Sequence, residues 1–213
     1  MALKRCVIVA AGEIHNYERA KSFLSTGDFF IFCDGGLSHA GGLGIKPDVV
    51  VGDFDSCDAN DLDWWKERSE IIQLPREKDD TDTLFAVKLA VDRGYCDFVL
   101  LGAMGGRFDH ALGNISILLY LNEQGKKAVL IDDYSVMQIV GNEPLFIEDT
   151  SSYFSVLTVA GNVSGVNIKK AKYPLENASL SCDFQLGISN EVLPGKVAEV
   201  SVESGRVLVV IVK

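Results

Sequence analysis

Asp48-Val49-Val50-Val51-Gly52-Asp53-Phe54-Asp55-Ser56 begins as an unbroken apolar run and ends in two acids. A run of that kind suits a strand buried on both faces, the environment of a parallel sheet. The pattern recurs along the first two thirds of the chain, predicting strands over 6–10, 29–33, 48–51, 71–74, 98–101 and 128–131. Between them the spacing predicts helices over 17–24, 58–68, 81–93 and 109–122. The third carries Leu84, Val87 and Val91 on one stripe, with Asp80 or Thr81 as its cap and Gly94 as its stop. The last is apolar nearly all round and is expected to be buried. Alternating strands and helices imply an α/β domain with a mostly parallel, Rossmann-like sheet.

Near Val136 the pattern changes to short β-rich runs at 136–140, 153–159, 163–168, 197–202 and 207–212, separated by Gly, Asn and Pro turns. The expected organisation is an α/β domain over 1–135 followed by a small all-β sandwich over 136–213, with the boundary between Asp133 and Glu143.

A formal charge of −10 argues against a nucleic-acid or anionic-membrane partner, since both would repel the chain. The five cysteines are odd in number and form no CxxC pair, which points to reduced, buried thiols. No apolar run is long enough to span a bilayer, and the first residues lack the layout of a signal peptide. A cytoplasmic protein is expected.

Chemistry concentrates after the strands. Asp53 and Asp55 are two apart, so on an extended backbone both carboxylates face one side. Two anions there repel unless a cation lies between them, and an all-oxygen set suits a hard ion such as Mg²⁺ with substrate phosphates. An ordinary Asx-type turn is the plainer alternative. Asp34-Gly35-Gly36, the Lys78-Asp79-Asp80-Thr81-Asp82-Thr83 cluster and Gly102-Ala103-Met104-Gly105-Gly106-Arg107-Phe108-Asp109-His110 also follow predicted strands. In an open α/β sheet such loops gather at one edge, where ligands bind. Asp80 and Asp82 alone could be first-turn helix acids, and Arg107 could simply pair with Asp109 on the surface. Together with a glycine-rich turn offering amide donors, and an arginine suited to bidentate phosphate binding, they describe a polyphosphate site. His110 and Asn114, four apart, share a helix face with that site. His15 and His39 are read as surface residues.

These motifs, in this order, resemble thiamine pyrophosphokinase: Asp34-Gly35-Gly36, Gly52-Asp53-Phe54-Asp55-Ser56, Asp79-x-Thr81-Asp82 and Gly105-Gly106-Arg107-x-Asp109-His110. Gly187-Ile188-Ser189-Asn190-Glu191 resembles that family's thiamine-binding segment, so the likeness covers nearly the whole chain. The resemblance implies a Mg²⁺-dependent transfer of the pyrophosphoryl group of ATP to the thiamine hydroxyl, giving thiamine diphosphate and AMP. It also implies a homodimer with sites shared between subunits. Asp53, Asp55 and Asp82 would be the metal acids, with Asp34 and either Asp79 or Asp80 nearby. Ser56, Thr81, Gly105, Arg107 and Asp109 would position ATP, alongside Gly35, His110 and Asn114. Ser189 and Asn190 would hold thiamine, and Asp82 or Asp109 would accept the hydroxyl proton. The rival readings are a related diphosphokinase or phosphohydrolase, a non-catalytic nucleotide or thiamine sensor, and a β region that serves only dimerisation.

Overall fold

A computed structural model of the chain describes residues 4–54 and 65–213. The helix expected over 58–68, with Asp55 and Ser56, falls wholly or mainly outside them. The chain divides into two compact units, Met1–Asp133 and Tyr134–Lys213.

Among the described residues the first unit holds a parallel sheet of six strands: β1 (Arg5–Val9), β2 (Phe29–Cys33), β3 (Val49–Gly52), β4 (Glu70–Gln73), β5 (Asp97–Leu101) and β6 (Lys127–Ile131). The order across it is β4-β3-β2-β1-β5-β6, every pair parallel. The chain steps outward from β1 to β4, then returns to lay β5 on the other side of β1. That reversal opens a crevice beyond the carboxyl ends of β1, β2 and β5. Cys6 to Val9 and Val49 to Val51 are fully buried, as continuous apolar runs require.

Among the described residues, helices α1 (Tyr17–Lys21), α2 (Ala40–Leu43), α3 (Asp82–Asp92) and α4 (Phe108–Glu123) connect the strands. A 3₁₀ turn over Asp34–His39, not anticipated from the sequence, leads from β2 into α2. Two expectations are corrected. Helix α4 is not buried all round: Ala111, Asn114, Ile117, Leu118 and Leu121 face inward, while Phe108 and Leu112 are exposed. His39 is not a surface residue; it is 8% exposed.

The second unit holds two antiparallel sheets. One runs β7 (Ser135–Val140), β14 (Val207–Val212), β9 (Tyr153–Thr158) and β12 (Gly187–Asn190). The other runs β11 (Leu175–Leu180), β10 (Val163–Lys169), β13 (Val197–Ser201) and β8 (Leu145–Glu148). Phe154, Val156, Val207 and Val209 from the first meet Val166, Ile168, Leu180, Ala198 and Val200 from the second in one core. The alternation of buried and accessible residues along β9 is the period-two signal of a strand with one face in that core.

Candidate active site

Parallel pairing of β2 with β3 sets Cys33 opposite Val51, so the two strands end side by side. Asp34 follows β2 in the left-handed region at φ 42°. A Cβ on Gly52 would stand 2.9 Å from the Asp34 Cβ and 3.1 Å from its Oδ1, so only a glycine lets the next strand end this close. Asp53 follows directly, and Phe54 is again left-handed at φ 58°. Strain of this kind collects where a fold over-determines a functional segment.

Thr81 opens α3: its Oγ1 accepts a hydrogen bond from the Leu84 amide at 3.2 Å. This cap places Asp82 in the first turn. Lys78 Nζ lies 2.9 Å from Asp82 Oδ1. That oxygen is buried, and the contact is a charge pairing without hydrogen-bond alignment. The neighbouring acids separate: Asp80 accepts from Lys88 Nζ at 2.7 Å, while Asp79 is exposed. Behind Asp82 lies Cys33, its Sγ 3.7 Å from the Asp82 carbonyl. Burial first, then the Asp82 charge, push the Cys33 thiol well above its ordinary value, so it presents a neutral wall.

On the far side, the ends of β1 and β5 meet backbone to backbone. The Gly12 amide donates to the Gly102 carbonyl at 2.7 Å, and a Cβ on Gly12 would collide with the carbonyls of Met104 and Gly102. The turn then runs through Gly105 and Gly106 into α4. Arg107 Nη2 lies 2.6 Å from Asp109 Oδ2, with 71% and 65% of the two side chains exposed. The Arg107 hydrogen bond holds the Asp109 carboxyl below the usual carboxylate range. One helical turn beyond His110, the buried Asn114 donates from Nδ2 to the Ala103 carbonyl at 2.6 Å, tying α4 to the glycine-rich turn.

These elements enclose a cleft of about 440 Å³, a size suited to a small-molecule ligand. Asp34, Thr81, Asp82, Arg107, His110 and Asn114 line it, with the Gly12 and Gly102–Gly106 backbones. Asp53, Gly35, Asp79 and Asp109 are not part of the lining among the described residues. Gly12 and Cys33 are lining residues that the motif reading passed over. Gly12 carried a usable signal, since it ends the first apolar run just as Gly102 ends the fifth.

The acids fit a hard cation in part. Their donors are all oxygen, and buried Asp82 Oδ1 lacks an aligned hydrogen bond. Among the described residues no three His, Cys, Asp or Glu side chains converge closely enough to hold a metal alone.

In the second unit Ser189 is exposed and left-handed at φ 57°, its amide donating to Ser155 Oγ at 3.1 Å. Asn190 is buried and committed to the chain's own backbone. Its Oδ1 accepts from the Tyr173 and Glu191 amides at 3.0 and 2.9 Å, and its Nδ2 donates to the Tyr173 carbonyl at 2.7 Å. Leu186 and Ile188 beside it are exposed apolar side chains.

Residues 20–130 match the family described as "Thiamin pyrophosphokinase, catalytic domain", and residues 146–207 match "Thiamin pyrophosphokinase, vitamin B1 binding domain". The chain is 27% identical over 194 residues to a thiamine pyrophosphokinase of Bacillus subtilis, covering 90% of this chain and 91% of that protein. A solved thiamine pyrophosphokinase structure from Bacillus subtilis superposes with a TM-score of 0.87 at 25% identity, covering 99% of each chain. One from Enterococcus faecalis, of a thiamin pyrophosphokinase family protein, gives 0.82 at 27% identity, again covering 99% of each chain.

Proposed function

Because the chain belongs to the thiamin pyrophosphokinase family, we propose that it transfers the pyrophosphoryl group of ATP to the hydroxyl of thiamine, yielding thiamine diphosphate and AMP. The observation that carries this reading is the single cleft joining Asp34, Asp82, the glycine-rich turn and Arg107 at the carboxyl ends of parallel strands. That placement, with the strand order reversing at β1, supports a Rossmann-like description of the first unit.

Phosphoryl-type transfer asks for positioning and charge neutralisation more than for a protein nucleophile. The glycine-rich backbone would receive the phosphates, and Arg107, pre-aimed by Asp109, would clamp them with its fork of donors. Asn114 holds that turn on its helix. Asp34, Asp53, Asp55 and Asp82 would hold Mg²⁺, which when bound neutralises charge developing on the phosphate oxygens. The thiamine hydroxyl would attack the β-phosphorus and AMP would leave.

We assign nucleotide and metal chemistry to residues 1–135, and thiamine binding with dimerisation to 136–213. Exposed Ser189, with the Leu186 and Ile188 side chains, would supply donor and apolar wall for the thiamine rings. The active form is proposed as a cytoplasmic homodimer with sites shared between subunits. No helix among the described residues is long and apolar enough to cross a membrane.

Incubation with ATP, thiamine and Mg²⁺ tests the reaction. AMP and thiamine diphosphate in equal amounts are expected. ADP would instead indicate a simple kinase, and free phosphate a hydrolase.

A further inference from the structure

We propose that His39 is a positioning residue for the nucleotide cleft, fixing the Gly12 turn through a hydrogen-bond chain that runs Tyr17, His39, Gly12. The inference rests on the reading that this cleft takes the ATP polyphosphate.

The imidazole is 8% exposed and bonded at both nitrogens. Its Nε2 lies 2.9 Å from the Gly12 carbonyl, and its Nδ1 lies 2.8 Å from the Tyr17 hydroxyl. A carbonyl can only accept, so Nε2 carries the proton, and Nδ1 accepts from the Tyr17 O–H. The Gly12 carbonyl thus selects the tautomer, since the Tyr17 hydroxyl can serve as either donor or acceptor, and both ring nitrogens are satisfied. Gly12 is held from two directions: its carbonyl by His39, its amide by the Gly102 carbonyl at 2.7 Å. It lines the cleft, and a Cβ on Gly105 would lie 3.2 Å from the Gly12 Cα. A shift of Gly12 would therefore pass directly into the glycine-rich turn.

His39 also ends the 3₁₀ turn that Asp34 begins. That turn lies close to β1, because a Cβ on Gly36 would collide with the Val9 carbonyl. One histidine thus secures the Gly12 turn and the segment carrying Asp34, both of which line the cleft. The chain of contacts continues outward. The Tyr17 ring lies against Gly42, where a Cβ would come within 2.6 Å of the ring Cε atoms. Gly42 itself does not line the cleft.

The test uses the full-length protein with Tyr17→Phe, His39→Gln, His39→Leu and Gly42→Ala. ATP affinity is read by calorimetry, and KM for ATP and thiamine by turnover. Tyr17→Phe should weaken ATP binding roughly fivefold, the factor one ordinary hydrogen bond is worth. His39→Leu should weaken it about tenfold or more, leaving the Gly12 carbonyl without its donor. His39→Gln should recover part of the loss, because its amide nitrogen can donate to Gly12. Gly42→Ala should act in the same direction as Tyr17→Phe and add nothing to it in the double variant. The thiamine KM should not move. Folded variants with wild-type ATP affinity would overturn the proposal, as would equal changes in both KM values. If the wild type binds ATP but releases no AMP, the reading of the reaction fails while the His39 effect is still read from binding. If it binds no ATP, both fail.

Discussion

Lys88 reaches back from α3 and donates to Asp80 at 2.7 Å, an ion pair that sets this acid apart from Asp82 two residues on. Asp80 is tied to α3 by Lys88, whereas Asp82 lines the cleft with a buried oxygen that lacks an aligned hydrogen bond. Asp80→Asn should keep near-normal turnover and a melting temperature close to wild type. Asp82→Asn should lose activity on the order of 10²-fold or more, as removal of a group that organises transition-state charge does. Steady-state rates at saturating Mg²⁺, with a thermal melt of each variant, make the comparison. Equal rates for the two variants would refute the assignment.

Arg107 and Asp109 form an exposed pair, so its value should appear in phosphate handling rather than in stability. Arg107→Lys should slow turnover because an ammonium cannot reproduce a bidentate fork, and Arg107→Ala should slow it on the order of 10²-fold. Both should melt like wild type. The pair also has a pH signature. Asp109 is depressed in the folded state, so the pairing is present above its ordinary carboxylate range and fades as pH falls through the folded value. A carboxyl titration followed by NMR in the absence of nucleotide should show that low transition, and Arg107→Ala should raise it.

Ser189 and Asn190, adjacent in sequence, should respond differently. Asn190→Ala removes a buried amide that bonds three backbone groups, and should destabilise the fold by about 1–3 kcal/mol for each partner left unsatisfied. Ser189→Ala leaves the melt unchanged and should raise the thiamine KM while sparing that for ATP. A normal thiamine KM in folded Ser189→Ala would remove Ser189 from the substrate site.

Thiol labelling should follow burial. Cys6 and Cys33 are buried and held as thiols, whereas Cys182 is exposed. Native protein treated with iodoacetamide should carry label at Cys182, with Cys6 and Cys33 reacting only after denaturation. Mass spectrometry of the digest reads this directly, and rapid native labelling of Cys33 would show that its wall of the cleft opens.

What the sequence revealed tracks how many faces each element buries. Val49 to Val51 are buried on both sides of the sheet, so every residue of the run is apolar and the strand is plain. β8, β11 and β12 escaped notice, and all three are edge strands of their unit's sheets. An edge strand takes its ladder from one neighbour, and β8 buries only Ile147, too little to imprint a period. Strand-end placement made Asp34, Asp82 and Arg107 legible as one site. The partners that separate Asp80 from Asp82 were not legible, because Lys88 reaches Asp80 only once α3 is wound and Lys78 meets Asp82 only at its first turn. His39 was lost for a related reason: its partners are Tyr17 and a backbone carbonyl, neither of which leaves a spacing rule.

The left-handed backbone at Asp34 sets stability against catalysis at one dihedral angle. An L-residue with a side chain is costly at φ 42°, by about 1–2 kcal/mol, while glycine adopts it freely. Asp34→Gly should therefore give a protein that melts higher and works worse. A search for thermostable variants would select that change, and one for active variants would discard it.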